Sequence, residues 1–83
     1  MKASTIKAFI EQFTNECEYH ENVQYKVIVN ADKEHIINNA VRDNIELYPN
    51  EETFFIQGVE QEDESLFIDI EAITSISYYG TPV

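Results

Sequence analysis

Residues 4–17 read Ser-Thr-Ile-Lys-Ala-Phe-Ile-Glu-Gln-Phe-Thr-Asn-Glu-Cys, and their spacing decides the fold. Ile6, Phe9, Ile10, Phe13 and Cys17 recur at steps of three and four, which places them on one stripe of an amphipathic helix. Ser4 or Thr5 supplies an expected N-cap, because a short hydroxyl side chain there accepts from an otherwise unpaired backbone N–H. The polar face sets Lys2 and Lys7 at the N-terminal end and Glu16, Glu18 and Glu21 at the C-terminal end. That order opposes the helix dipole at a cost of about 0.3–1 kcal/mol per exposed group. Local helix stability therefore did not select those charges, and both recognition and simple tolerance account for them.

Outward from the helix the periodicity changes from 3.6 to two. Val23, Tyr25, Val27 and Val29 alternate with Gln24, Lys26 and Asn30, the pattern of a half-buried strand. Residues 30–33 turn the chain. Residues 32–43 divide between two signals: Ile36, Ile37, Ala40 and Val41 fit a helix face, whereas Asn38 and Asn39 are poor helix formers with β-branched neighbours. Residues 45–48 and 53–59 form a hairpin around Pro49-Asn50, since proline presets the first corner of a turn and asparagine favours the next. Residues 60–65 are an acidic connection. Leu66, Ile68 and Ile70 alternate with Phe67, Asp69 and Glu71 in another strand. Ala72 and Ile73 bend the chain into a last strand at residues 74–79, ended by Gly80 and Pro82. The expected architecture is a single α+β domain over residues 1–83, an N-terminal amphipathic helix packed on a small antiparallel sheet of four to five strands.

The stretch Phe67-Ile68-Asp69-Ile70-Glu71-Ala72-Ile73-Thr74-Ser75-Ile76 resembles the tail of an SH3-like or Sm-like small barrel. The resemblance covers the last third of the chain and implies a partly closed barrel. RNA binding does not carry over with it, because the basic residues that function needs are absent.

The chain has 83 residues, of which sixteen are Asp or Glu and five are Lys or Arg, a formal charge of −11. Nucleic-acid affinity depends on cationic side chains replacing phosphate counterions, and Lys2, Lys7, Lys26, Lys33 and Arg42 are too few. Anionic membranes are disfavoured for the same reason. The single Cys17 permits no internal disulfide, so a reducing, cytoplasmic setting is expected. Residues 1–13 hold no continuous apolar run of the kind a secretory or membrane-spanning segment needs.

Catalytic and metal-binding constellations are thin. Cys17 and His20 lie three apart at a helix end, with His35 as a third candidate ligand, but a structural zinc site normally takes four sulfur or imidazole ligands. Cys17 reads more simply as the last apolar residue of the helix stripe, and both histidines read as exposed. A Cys–His nucleophile pair would also need an oxyanion site and a cleft. Glu60, Glu62, Asp63 and Glu64 lack the alternating ligands and the glycine of an EF-hand loop. Gly58 and Gly80 make no phosphate-cradling loop. No catalytic residue, metal or cofactor is expected.

What remains is the acid set: Glu16, Glu18 and Glu21 after the helix, Glu51 and Glu52 in one turn, and Glu60, Glu62, Asp63 and Glu64 in the next. Tyr48, Tyr78 and Tyr79 are candidate aromatic anchors beside them. A domain of this length is ~30 Å across, from a radius of gyration of ~12 Å. A duplex of that length carries ~18 phosphates, the same order of charge as this chain. In size, charge and lack of chemistry the chain resembles the small phage-encoded inhibitors that act as DNA mimics, among them anti-CRISPR proteins and glycosylase inhibitors. That resemblance implies a non-enzymatic inhibitor docking on the basic, nucleic-acid-binding surface of a bacterial nuclease or defence complex. The alternatives are a regulatory or structural interaction module, a monomer or homodimer associating through Tyr78, Tyr79 or a strand edge, whose acidity only maintains solubility, and a small metal-dependent enzyme using Cys17, His20 and His35.

Overall fold

A computed structural model describes residues 1–59 and 64–83. Helix α1 (Ala3–Tyr19) is followed by strands β1 (Val23–Asn30), β2 (Glu34–Ile37), β3 (Ile45–Leu47), β4 (Thr53–Val59), β5 (Glu64–Asp69) and β6 (Ser75–Pro82). Short 3-10 turns at Arg42–Asn44 and Ile70–Ala72 precede β3 and β6. The expected α+β class, with one N-terminal helix on antiparallel strands, is present. No helix among the described residues is long and apolar enough to cross a membrane.

The strands fall into two three-stranded antiparallel sheets, β2-β1-β6 and β3-β4-β5. One residue pair, Ile37 opposite Val59, joins them into a continuous hydrogen-bonded path. Six strands replace the expected four to five because residues 32–43, which carried mixed signals, split into a strand and a 3-10 turn. Ile37 ends β2, Asn39 takes a left-handed φ of 52° that Asn tolerates better than most residues, and Arg42–Asn44 forms the turn. Asn44 holds that turn with its amide: its Oδ1 accepts from the Val41 N–H at 2.7 Å and its Nδ2 donates to the Gln57 carbonyl at 3.2 Å.

Gly58 explains how β4 serves both sheets. Its φ of +75° is open to glycine at little cost, and the β4–β5 register shifts between Gln57 and Val59. The bulge lets β4 leave β3 and reach β2. The barrel is not closed among the described residues: β6 pairs with β1 and β5 with β4, while β5 and β6 do not pair with each other. The link between them is tied instead to the start of the chain, where the Met1 amino group donates to the carbonyls of Ile70 at 2.6 Å and Ile73 at 3.1 Å.

That anchor also corrects the expected N-cap. The helix starts at Ala3 with Lys2 as its cap and no side-chain cap bond, so neither Ser4 nor Thr5 serves. Met1, pinned by the Ile70–Ala72 turn, fixes where the chain enters the helix, and Lys2 already accepts from Thr5 and Ile6 through its carbonyl. Strand β6 runs to Pro82, past the expected stop at Gly80. Gly80 lies opposite Tyr25, and a Cβ there would come within 2.8 Å of Val23 Cγ1 and 3.1 Å of Tyr25 Cε1. Its missing side chain allows the pairing to continue.

The core lies between α1 and the inward faces of the strands. Ile6 and Phe13 are fully buried against Tyr25, Val27, Val29, Ile37, Phe54 and Ile56. At its centre Phe13 meets Tyr25 edge-on with ring centroids 5.6 Å apart and Tyr78 at 5.5 Å, and Phe9 meets Tyr78 at 5.8 Å. The Tyr25 hydroxyl donates to the Glu16 carbonyl at 3.2 Å, which satisfies a polar tip in an apolar place. Phe13→Ala is expected to cost about 3–5 kcal/mol, a large part of the ~4–12 kcal/mol typical of a domain this long. Urea unfolding checks this: the midpoint should fall far below wild type, and a loss under ~1 kcal/mol would contradict the assignment.

Candidate functional site

The sheet β3-β4-β5 has two unlike faces, which its alternation creates. Phe54, Ile56, Ile68 and Ile45 point into the core and are buried. Residues of opposite parity point outward, and two of them, Phe55 and Phe67, are aromatic. Phe55 stands opposite Phe67 in the β4–β5 register, with ring centroids 4.8 Å apart. Tyr48, just past β3, completes the group at 5.9 Å from Phe55 and 5.7 Å from Phe67. Phe67 is 64% exposed, unusual for a phenylalanine in a strand, while Phe55 and Tyr48 are half-buried.

Carboxylates border this platform. Glu46 lies opposite Phe55 and Asp69 opposite Thr53, both on the outward parity and both exposed. Across β3 a groove of about 410 Å³ runs between that strand and α1, lined by Ile10, Leu47, Tyr48 and Pro49 with Glu11, Glu46 and Glu51. Its cation, Lys7, is ion-paired with Glu51. Glu51 and Glu52 sit in the β3–β4 turn, where Asn50 Oδ1 accepts from the N–H groups of Glu52 at 2.9 Å and Thr53 at 3.2 Å, and Glu51 takes a φ of 58°. With Asp69 and Glu71 these two line a depression beside Lys2 and Ala3 at the start of α1. Carboxylates from distant segments thus gather near the positive end of the helix, which its own first turn leaves without acids.

The other expected acids are placed differently. Glu16, Glu18 and Glu21 lie at or beyond the far end of α1, with Glu18 ~16 Å along the axis from Lys7 at 1.5 Å per residue. Glu16 Oε2 is 3.4 Å from His20 Nε2. Glu60, Glu62 and Asp63 lie outside the described residues, and Glu64 opens β5. Of the expected aromatic anchors, Tyr48 belongs to the outward platform. Tyr79 is 59% exposed on the outer face of β6, opposite Lys26. Tyr78 has inward parity and packs half-buried against Phe9, Phe13 and Tyr25.

Cys17, His20 and His35 are placed in three different surroundings. Burial pushes the Cys17 thiol up, with the charge of Glu16 adding to the effect, so the nucleophilic thiolate is suppressed at neutral pH. Cys17 is half-buried against the core, the place its helical spacing assigned. His20 is exposed as expected. His35 is not: it is 5% exposed, because strand parity in β2 turns it inward beside Ile37 and the turn before it brings Asp32 Oδ1 to 3.4 Å from its Nε2. No group of three His, Cys, Asp or Glu able to hold a metal ion occurs among the described residues.

Comparison with protein-family models, curated proteins and solved structures finds no match to this chain. The site rests on its own geometry. Sequence reasoning named Tyr48 but missed Phe55 and Phe67. The signal was present, since Phe67 was already the odd member of an alternating run, and Phe55 has the parity opposite to Phe54 and Ile56.

Hydrogen bonding from His35 holds the Asp32 carboxyl below its usual value of 3.8. A depressed folded-state value means the stabilisation is complete above the unfolded value and is lost as pH falls through the lower folded one. Asp32→Asn should therefore be less stable than wild type near neutrality, and the gap should close in strong acid. Chemical unfolding at a series of pH values checks this, and a gap that is unchanged across the carboxylate range would contradict it.

Proposed function

We propose that this chain is a non-enzymatic, acidic protein-interaction domain that docks on the basic, nucleic-acid-binding surface of a partner protein and blocks it, in the manner of the small DNA-mimic inhibitors of bacterial nucleases and defence complexes. One observation carries the proposal: the outward platform of Tyr48, Phe55 and Phe67 is flanked on its own face by Glu46 and Asp69, with Glu51 beside Tyr48 in the adjoining groove. Exposed aromatic rings supply contact area at small entropic cost and dominate many interfaces. Carboxylates around them direct the surface toward cations and away from phosphates.

The dimensions agree with such a role. The molecule measures 34 × 27 × 18 Å, and a duplex as long as its greatest extent carries ~20 phosphates at one per ~1.7 Å. A formal charge of −11 is of that order. A partly closed SH3-like or Sm-like barrel is the finer fold class we assign. It is supported by the pairing of the last strand with the first and by the 3-10 turn between the last two strands. The unpaired Cys17 supports a reducing, cytoplasmic setting.

Binding to a positively charged nuclease should weaken steeply between ~0.1 M and ~1 M salt, over which the Debye length shrinks from ~10 Å to ~3 Å. Nucleic acid should compete for the same surface. Calorimetric titration at several salt concentrations, repeated with a saturating DNA competitor, checks both. Affinity that is flat with salt would contradict mimicry and favour a domain whose acidity serves only solubility.

A further inference from the structure

Among the described residues strand β5 has no neighbour along one side. It pairs with β4, and among the described residues no backbone hydrogen bond leads from residues 65–69 to any other segment. Strand edges are ordinarily protected by Lys, Pro or a covering element, because an unpaired row of N–H and C=O groups invites another strand. The sequence of β5, Glu-Ser-Leu-Phe-Ile-Asp, contains neither Lys nor Pro. Space adjoins it: a cleft of about 410 Å³ is lined by Leu66, Phe67, Ile68, Asp69 and Ala72 together with Asp32, Lys33 and His35, so that two carboxylates face it against one ammonium.

We infer that β5 receives an extended, arginine-bearing segment of the partner as an added strand, with an arginine side chain stacked on Phe67 and directed at Asp69. The inference rests on the reading of the chain as an acidic interaction domain and specifies how that surface engages its partner. A strand added to β5 lies ~4.8 Å from it, and every second side chain falls on the outward face. The nearest of those meets Phe67, whose ring is 64% exposed and already fixed at 4.8 Å from Phe55. A guanidinium plane stacks on such a ring and offers N–H donors to the carboxylate of Asp69, two residues along on the same face. Lysine carries the same charge with a more strongly hydrated head and no planar fork. A second copy of this chain is the wrong occupant, since pairing two β5 edges would set two chains of −11 against each other.

The test uses ¹⁵N-labelled protein and three peptide probes: alternating Arg-Val, alternating Lys-Val, and the Arg-Val peptide N-methylated at alternate residues. The Arg-Val peptide should shift the amide signals of residues 65–69. The Lys-Val peptide should bind about three- to tenfold more weakly, and methylation of the backbone N–H groups should remove binding. Phe67→Ala, and Phe67→Leu as a second variant that keeps apolar bulk, should bind both basic peptides alike. Two results overturn the inference: shifts confined to the groove between α1 and β3, or an Arg preference that survives in both variants. Those results leave the acidic interaction surface standing, whereas the absence of salt-dependent binding to either basic peptide would overturn that reading as well.

Discussion

Phe13 is the residue on which the rest of the molecule depends. Its ring leaves α1 fully buried and enters the gap between Tyr25 of β1 and Tyr78 of β6, so one contact joins the helix to both strands. Once Tyr25 and Tyr78 are committed inward, strand parity sends Lys26 and Tyr79 outward. The pair Ile37–Val59 extends the sheet into β4, and Phe54 and Ile56 take the inward places there. Phe55, and its register partner Phe67, are then left facing solvent. The exposed platform is a consequence of how the core is seated.

Seven of the ten aromatic residues in this chain of 83 fall into two ring clusters with different physical circumstances. The inner group of Phe9, Phe13, Tyr25 and Tyr78 loses water on folding and supplies stability. The outer group of Tyr48, Phe55 and Phe67 is only partly screened, and Phe67 retains most of its exposure. Rings left out in this way cost solubility unless charge lies near them, and Glu46 and Asp69 flank them on the same face, with Glu51 beside Tyr48 in the adjoining groove. The same charges that keep the surface in solution set the sign of what it attracts.

The helix, β1, the hairpin at Pro49-Asn50 and the alternation of β5 were legible in the sequence because each depends on neighbours a few residues away. The N-cap was not, since Lys2 takes that place through a contact between Met1 and Ile70–Ala72 seventy residues on. Nor was β2, whose four residues are too few to establish a period and whose burial of His35 follows from pairing with β1. Composition revealed the acidity at once but not its layout. Glu51 and Glu52 share their depression with Asp69 and Glu71 because the β3–β4 turn folds beside the Ile70–Ala72 turn, where Ile70 donates to the Glu52 carbonyl. The platform itself was half visible, with Tyr48 singled out and the two phenylalanines hidden among core-like neighbours.

The division between buried and exposed rings is open to ¹⁹F NMR on protein labelled with fluorophenylalanine at its five Phe positions, titrated with poly-arginine in the presence of a neutral paramagnetic chelate. The account predicts that Phe67, and to a lesser degree Phe55, are relaxed by the chelate before poly-arginine is added and shift and become shielded after it, while Phe13 and Phe54 respond to neither. Equal protection of all five rings in the free protein, or an exposed Phe67 signal that poly-arginine leaves unchanged, would contradict it.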